Sequence, residues 1–549
     1  MLRSRVRTLV AGTAVLSVVA LAAPAAHAES PSVTMTGNPG SVACDPQVTG
    51  NGDPTQGDGY GKIAGNGWAS GGVSGVSWTF PDPRTIIITF GDTFSTVPLS
   101  DIQVKGGNGY VVCHFEDYFQ AGDTVTLTTT GLLQNGGGNA PAISHVTLYP
   151  GGGAERNTGS VVGPIKSVAA GTCQSLVTTT TGQVYTWGDN RVGELGDGTT
   201  DNSSAPVQAV GLNDVVQVDG SFGSTPDFCY SLALTSSGQV YAWGNNRSGQ
   251  LGNGTQSNMS SVTNAVVPGP VLGLTDVVQV SAGYDFALAV TSSGKVYAWG
   301  SNQYGQLGLG DSVSTGVWKT PVQIPELTDV VQVSAGWYAS FALTSSGKVY
   351  AWGRNTYGQL GNGKMANGND PSYNVYLPAQ VQDLSGVAQI SAGNNHVLAL
   401  ASSGQIYAWG DGSNGQLGTG KVGGAVTSVS SAVPVPVLDL TDVVQVAAGY
   451  GYSLALTSTG QVYAWGWNSS LVGQLGLGPT PYSSSVMPVP TLVTALSGVK
   501  QLATGNSHSL ALTTSGQVYA WGSNTYGQLG DGTTNISPVP LPVPGVGGR

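Results

Sequence analysis

The chain repeats one short pattern seven times: a tryptophan–glycine pair that follows Val-Tyr-Xaa or Ile-Tyr-Ala. Successive pairs are separated by 56, 56, 53, 57, 56 and 56 residues. The tryptophans are Trp187, Trp243, Trp299, Trp352, Trp409, Trp465 and Trp521. A period of this length, with several short strands in each unit, is typical of a propeller or a solenoid. We interpret the tryptophans as framework that fills the core between units.

The sequence of each unit predicts four antiparallel strands, which is the number in a propeller blade. In one copy the alternating segment DVVQV (442–446) precedes SLALT (453–457), and an STG turn leads into QVYAWG (461–466). A Pro-Val segment such as PVPVLDL (434–440) supplies the fourth strand. The turn glycine suits the positive φ of a tight hairpin. The sequence therefore predicts an all-β fold.

The segment GQVYAWGSNTYGQLGDGT (516–533), preceded by GNSHSLALT (505–513), resembles the repeat of the regulator of chromosome condensation family. The resemblance extends over about residues 160–544 and implies a seven-bladed β-propeller, which we place at residues 161–545. The first unit starts at GPIKSVAAG (163–171) without a preceding Pro-Val strand. We predict that SPVPLPVPG (537–545) enters the blade of the first repeat and closes the ring.

The region before the repeats is predicted to contain three further segments. Residues 1–28 have a basic head, an apolar run and a small-residue exit, which is the pattern of a secretory signal peptide. Residues 29–150 contain short strand-like runs between Gly, Asn and Pro clusters, and predict a small β-sandwich domain. Residues 151–160 are a glycine-rich linker. We expect a protein that is secreted or held at the cell surface.

Charge and hydropathy exclude several classes of partner. The chain has 18 basic and 29 acidic residues, and removing a signal peptide of residues 1–28 leaves 15 basic residues. An acidic surface repels phosphate backbones, so we expect no nucleic-acid binding. No segment after the signal peptide is long and apolar enough to span a membrane.

All four cysteines follow the predicted signal peptide. An even number of cysteines in an oxidising compartment indicates two disulfides, although four cysteines allow three pairings. Aligning CQSL with CYSL places Cys173 and Cys229 at the same position of adjacent blades. We therefore predict the pairs Cys44–Cys113 and Cys173–Cys229.

The sequence carries none of the common enzyme signatures, such as G-x-S-x-G, HExxH, a P-loop or a Rossmann fingerprint. We predict no catalytic residue, no cofactor and no metal site. In the family, the histidine of H-S-L-A-L is largely structural, which implies a framework role for His396 and His508. A hydrolase or lyase with an unrecognised site, tested at His396, is the remote alternative.

The residues just after the loop glycine of each unit vary, although the framework around them does not. They should form a ring on one face, near the central channel. Rigidly held aromatic, Asn and Ser side chains are suited to protein recognition. The predicted partner-binding residues are Phe222, Phe228, Tyr230, Tyr284, Asp285, Trp337, Tyr338, Asn395, His396, Tyr450, Tyr452 and His508.

The segment SAGWYASFALTSSGKVYAWG (334–353) is also similar to repeats of secreted bacterial propellers of the β-lactamase inhibitory protein II type. That resemblance implies a non-catalytic propeller whose aromatic loops bind a protein partner, such as an extracellular enzyme that it inhibits. The alternative is a protein that binds cell-wall or other glycans through the N-terminal domain, with Tyr60, Trp68 and Trp78 as stacking platforms.

Overall fold

The computed structural model describes ten strands between residues 17 and 150, and most of residues 161–547. The gaps in the second range are 162, 224–225, 258–263, 311–315, 367–369, 423–428, 470–471 and 480–485. The chain divides into two compact units, Met1–Arg156 and Asn157–Arg549. The predicted signal peptide apart from Ser17–Val19, the predicted linker, Tyr60 and Trp68 lie outside the described residues.

The first unit contains two antiparallel five-stranded sheets, ordered β1-β10-β7-β8-β3 and β2-β9-β6-β5-β4. The strands are β1 (Ser17–Val19), β2 (Val33–Thr36), β3 (Val42–Asp45), β4 (Gly71–Val73), β5 (Val76–Asp82), β6 (Thr85–Phe90), β7 (Leu99–Gly106), β8 (Gly109–Phe115), β9 (Thr124–Thr128) and β10 (His145–Pro150). The side chains of these strands lie outside the described residues, so the packing of the two sheets as a sandwich stays a prediction.

The second unit is a seven-bladed propeller, as predicted, with one four-stranded antiparallel sheet in each blade. Blades 1 to 4 contain β11 (Ile165–Ala170), β12 (Gln174–Thr179), β13 (Val184–Gly188), β14 (Ser203–Gln208); β15 (Val215–Gly220), β16 (Tyr230–Thr235), β17 (Val240–Gly244), β18 (Ala265–Pro270); β19 (Val277–Ala282), β20 (Phe286–Thr291), β21 (Val296–Ser301), β22 (Val317–Gln323); β23 (Val330–Ala335), β24 (Ala339–Thr344), β25 (Val349–Gly353) and β26 (Val375–Gln380).

Blades 5 to 7 contain β27 (Val387–Ala392), β28 (His396–Ala401), β29 (Ile406–Gly410), β30 (Ser431–Pro436); β31 (Val443–Ala448), β32 (Tyr452–Thr457), β33 (Val462–Trp467), β34 (Val486–Leu492); β35 (Val499–Thr504), β36 (His508–Thr513), β37 (Val518–Gly522) and β38 (Ser537–Pro542). Among the residues that the structure describes, two short 3-10 helices, Pro226–Phe228 and Pro371–Tyr373, lie in loops. The innermost strand of each blade lines the central channel.

The hairpin between the second and third strands of a blade requires glycine for two reasons. In blade 3 the turn residue Gly294 has a φ of +74°, which L side chains rarely adopt. A Cβ at this position would also lie 2.9 Å from the Cα of Asp329 in the next blade. Glycine at this position therefore permits both the tight turn and the close approach of the neighbouring blade.

The seven repeated tryptophans are framework, as predicted. Each is fully buried, and its indole N–H donates to the backbone carbonyl of the Gln or Glu in the Gly-Gln-Leu or Gly-Glu-Leu segment of the preceding blade, at 2.8–2.9 Å. In blade 1, Trp187 reaches Gln528 of blade 7. These hydrogen bonds cross all seven seams, so the ring is closed. Each indole thus fills the core between blades and satisfies its polar atom.

A second contact between blades is made by the side-chain amide of a glutamine on the innermost strand. We call this pair of hydrogen bonds the amide clamp. In blade 4, the Gln332 amide donates to the carbonyl of Ile390 and accepts from the N–H of Ile390, both at 2.9 Å. The same pair of bonds, at 2.7–3.2 Å, is made by Gln217, Gln279, Gln389, Gln445 and Gln501. The side-chain amide acts as a short strand segment between two blades that share no backbone ladder.

The predicted route of ring closure is wrong. The C-terminal strand β38 pairs with β37 in its own blade 7, and blade 1 already has a fourth strand, β14, from its own repeat. The Pro-Val segment is therefore the last strand of each repeat rather than the first strand of the next. The ring closes instead through contacts such as Gln501 to Val168 and Gly532 N–H to the carbonyl of Ser204.

Candidate functional site

The loops between the first and second strands and those after the third strand share one end of every blade. This follows from the register, since Gln174, which begins β12, pairs with Gly188, which ends β13. The variable positions singled out in the sequence lie in the first set of loops. We call this end of the propeller the upper face.

The upper face of blades 2 to 4 carries a group of aromatic rings in contact, which we call the aromatic cluster. The Tyr284 ring lies 5.0 Å from Phe228, 6.2 Å from Trp337 and 5.4 Å from Tyr338, between ring centroids. Trp337 stacks on Tyr338 at 5.0 Å, and Tyr304 lies 4.6 Å from Tyr338. The structure thus brings together four predicted site residues from three blades.

Two arginines lie over these rings. The guanidinium carbon of Arg354 lies 5.2 Å from the Tyr304 centroid and 5.7 Å from those of Trp337 and Tyr338. Arg247 lies 5.7 Å from the centroid of Phe228. These distances are those of cation–π contacts. The arginines hold the rings in place and add charged hydrogen-bond donors to the surface.

Sequence reasoning missed Arg247 of blade 2. It also missed Tyr304 and Arg354. Both follow the tryptophan–glycine pair, in the loops after the third strand, whereas the search for variable positions considered only the loops before the second strand. The available signal was the residue types after Trp-Gly: Arg354 is the only cation directly after the pair, and tyrosine recurs at the position of Tyr304, in Tyr357 and Tyr526.

The cluster is partly open to solvent above and closed below. Phe228, Trp337, Tyr338 and Tyr304 are half-buried, whereas Tyr284 and Asp285 are buried beneath them. Burial raises the pKa of Asp285 to about 6. Burial, and next the charge of Asp285, also raise the pKa of the Tyr338 phenol above its usual range. Tyr338 is therefore a neutral phenol near pH 7.

Four predicted partner-binding residues do not belong to the surface. Tyr230, His396, Tyr452 and His508 begin the second strand of their blades, and each is buried against the next blade. The Tyr230 hydroxyl donates to the carbonyl of Phe286, and the Tyr452 hydroxyl donates to that of His508. A docked protein cannot reach these side chains, because the alternation of the strand directs them into the seam.

The two framework histidines are unsuited to catalysis. His396 lies 3.0 Å from the Ser453 hydroxyl, and that hydroxyl donates its own proton to the carbonyl of Gln416. The Nε2 atom of His396 must therefore be the donor, which is the wrong tautomer for a base acting on Ser453. Burial lowers the pKa of His396 to about 3 and of His508 to about 4, so both stay neutral.

Phe222 lies in the mouth of the central channel rather than on the upper face. It is buried and lines a cavity of 440 Å³, together with the innermost strands. Its loop crosses toward other blades: the carbonyl of Gly223 accepts from Asn506 Nδ2 of blade 7 at 3.0 Å and from the Thr172 hydroxyl of blade 1 at 3.3 Å. The enlarged loop of blade 2 thus narrows the channel at its upper end.

The remaining predicted residues lie apart from the cluster. Asn395 is buried, with its side-chain carbonyl 3.5 Å from the amide nitrogen of Gln359. Tyr450 is half-buried, and it stacks on no ring among the residues that the structure describes. Of the predicted binding residues, only those on blades 2 to 4 therefore meet in the aromatic cluster.

The cysteines fall into two pairs of neighbours. Cys44 and Cys113 are directly opposite each other in the ladder between β3 and β8. Cys173 and Cys229 are buried free thiols that lie in one apolar cluster with Val192, in the seam between blades 1 and 2. Neither predicted disulfide is shown by the structure, and both stay predictions.

The described residues offer neither a metal site nor a membrane-spanning helix. Within them, no group of three or more His, Cys, Asp or Glu side chains is arranged to hold a metal ion. Among the same residues, no helix has the length and apolar character needed to cross a membrane.

These features define a closed seven-bladed β-propeller with a partly exposed aromatic cluster on one face. Residues 143–422 and 316–549 match the sequence model of the RCC1-like domain. The chain belongs to the RCC1-like domain family, which confirms the resemblance of its repeats.

Curated relatives agree with this assignment. The chain is 32% identical over 372 residues to the ultraviolet-B receptor UVR8 of Arabidopsis thaliana, a match covering 66% of this chain and 78% of the receptor. It is 33% identical over 384 residues to the human E3 ubiquitin-protein ligase HERC2, where the match covers 67% of this chain and only 7% of the ligase.

Solved structures share the fold. Human WBSCR16 superposes with a TM-score of 0.56 at 25% sequence identity, covering 66% of this chain and 94% of that one. Yeast RCC1 (Prp20), in its complex with Kap60, superposes with a TM-score of 0.54 at 22% identity, covering 71% of this chain and 86% of that one.

Proposed function

We propose that this chain is a non-catalytic binding propeller that docks a protein partner on the aromatic cluster of blades 2 to 4. The observation that carries the proposal is the cluster itself, in which rings from three blades and two arginines meet on one partly exposed face. RCC1-like propellers among its relatives are protein-binding or regulatory proteins, which supports the proposal.

The cluster has the properties of an interface centre. Aromatic and arginine side chains contribute most to binding energy when they lie on a rigid support and are desolvated by the partner. Here the support is rigid, because Tyr284 is buried beneath the rings and contacts three of them. Rings that are already packed lose little side-chain entropy when a partner binds. The arrangement is therefore pre-organised for docking.

The test is an alanine scan of the half-buried rings. A partner is first captured from the native culture medium and cell envelope with the whole chain as bait, and its affinity is then measured with purified components. We expect Trp337→Ala and Tyr338→Ala each to weaken binding by more than ~1 kcal/mol. The melting temperature should change little, because both side chains are only half-buried and lie in loops above the buried cores of the blades.

A matched control is available on blade 6. Tyr450 occupies the same loop position as the cluster residues but lies apart from them, so Tyr450→Ala should leave the affinity unchanged. Equal losses for Tyr450→Ala and Trp337→Ala would place the interface elsewhere on the upper face. An unchanged affinity in the Trp337→Ala/Tyr338→Ala double variant would refute the proposal.

The cellular setting is part of the proposal. The N-terminal sequence supports export, and we propose that the partner is extracellular, with inhibition of an enzyme as one outcome of docking. Amino-terminal sequencing of the protein from culture medium tests export, with cleavage after Ala28 as the expected result. A protein that stays in the cell with Met1 intact would contradict it.

A further inference from the structure

The seam between blades 1 and 2 differs from the other six seams of the ring. Each of those six is crossed by an amide clamp on the innermost strands. In blade 1 the clamp position is Ser167, whose hydroxyl is hydrogen-bonded to the Thr178 hydroxyl of its own blade at 2.5 Å. The serine is too short to reach across to Val218 of blade 2. This seam therefore lacks two hydrogen bonds that every other seam has.

The same seam holds the two buried thiols. Cys173 and Cys229 occupy equivalent positions, each directly before the second strand of its blade, and both belong to one small buried cluster. Val192 is the third buried member of this cluster, and Tyr526 of blade 7 packs against it. The equivalent positions of the other blades are occupied by Asp285, Tyr338, Asn395, Gly451 and Ser507. No other seam has a residue pair that can be bridged covalently.

Hydrogen bonds tie the segments beside the two cysteines to each other. The N–H of Thr172, beside Cys173, donates to the carbonyl of Ser221 at 2.8 Å. The Gln174 amide, on the other side of Cys173, donates to the carbonyl of Tyr230, which follows Cys229, at 3.1 Å. The segments that flank the cysteines are thus tied together across the seam. Disulfide formation requires that the two cysteines be held near each other, and these contacts meet that requirement for the flanking residues.

We propose that Cys173 and Cys229 form a reversible disulfide that staples the one seam without an amide clamp. The oxidant is a small-molecule disulfide. One thiolate attacks it and forms a mixed disulfide, releasing one small thiol; the second thiolate then attacks the protein sulfur and releases the other. The two protons lost by the cysteines are taken up by the two departing thiolates. The products are one protein disulfide and two small thiols.

The folded chain should control the rate of this reaction. Both thiols are buried, and the hydrogen bond with Cys173, together with burial, raises the pKa of Cys229 above its usual range. A thiol in such surroundings is a poor nucleophile. The bond should therefore form, and be reduced, during folding or during opening of the seam, and both reactions should be slow in the closed ring.

The test uses the full chain with Cys44→Ser and Cys113→Ser, which leaves one pair of cysteines. The protein is refolded with oxidised glutathione or with a phosphine reductant, and peptide mapping locates any bond. Hydrogen exchange then compares the N–H groups of Thr172 and Gly223, which donate across the stapled seam, with that of Ile390, which donates across a clamped seam.

We expect a bond between Cys173 and Cys229 in the oxidised sample and about tenfold slower exchange at Thr172 and Gly223. Exchange at Ile390 should not change. A Cys173→Ala variant, which keeps a small apolar side chain at this site, should show no effect of the oxidant. Thiols that remain free after oxidative refolding, or a bond that leaves exchange at the seam unchanged, would overturn the proposal.

Discussion

Glu194 is an acid at a position where the other six blades have glutamine. It lies at the seam between blades 1 and 2, and its ionisation provides a quantitative test of how that seam contributes to stability. One carboxylate oxygen accepts from the N–H of Val192 at 3.0 Å, whereas the other is buried without a partner. In blade 2 the equivalent Gln250 uses its amide N–H to donate to Asn245 at 3.0 Å. Glu194→Gln should place an amide donor of the same kind next to Asp189 of blade 1. The charge of Asp189 disfavours the ionised form of Glu194.

The size of the effect follows from the pKa of Glu194. Burial, and next the charge of Asp189, raise it from an ordinary 4.5 to about 8. Below pH 4.5 the acid is protonated in both folded and unfolded chains, and it imposes no penalty. Between pH 4.5 and 8 only the unfolded chain loses the proton, so the free energy of unfolding falls as pH rises. The loss has an upper limit of about 5 kcal/mol, reached above pH 8.

The assay is urea unfolding of the wild type and of Glu194→Gln between pH 4 and 9. The two curves of free energy against pH should converge at low pH, and the variant should become the more stable as pH rises toward 8. Gln250→Glu is the matched control, because it places an acid at the same position of blade 2, beside the neutral Asn245; it should introduce a slope of the same sign but smaller size. Parallel curves for the wild type and Glu194→Gln would refute the reasoning.

Three further predictions concern the innermost strands, and each is measured by urea unfolding. Gln332→Met removes both clamp bonds to Ile390 at nearly constant shape and should lower the free energy of unfolding by about 2 kcal/mol. Ser167→Gln should add a clamp to Val218 and raise it by about 1 kcal/mol; no gain would mean that this seam cannot accept an amide. Burial raises the pKa of Asp219 to about 7, so the wild type should lose stability from pH 4 to 7, and Asp219→Ser should lose less.

The fold was predictable because one pattern serves two purposes in every repeat. The Trp-Gly pair marks both the end of a strand and the contact with the preceding blade, so its spacing counted the blades correctly. The route of closure was not predictable from the same pattern. A Pro-Val strand between two units can belong to either one, and only its pairing, such as that of β38 with β37, assigns it.

The candidate site was predicted in part, for reasons that lie in side-chain direction. Trp337 and Tyr338 stand in a loop and point outward, whereas Tyr452, two residues after Tyr450, has entered a strand and points into a seam. The order of residue types does not show where the loop ends and the strand begins, so it does not reveal that change in side-chain direction. Nor do they reveal that Arg354 reaches the rings of Trp337 and Tyr338 from a different loop.

The most direct test of the docking face is hydroxyl-radical footprinting of the propeller with and without its partner. The account predicts that Phe228, Trp337 and Tyr338 become protected in the complex while Tyr450 keeps its reactivity. Protection confined to the opposite face, for example at Val278 and Val331, with the aromatic cluster unchanged, would contradict it.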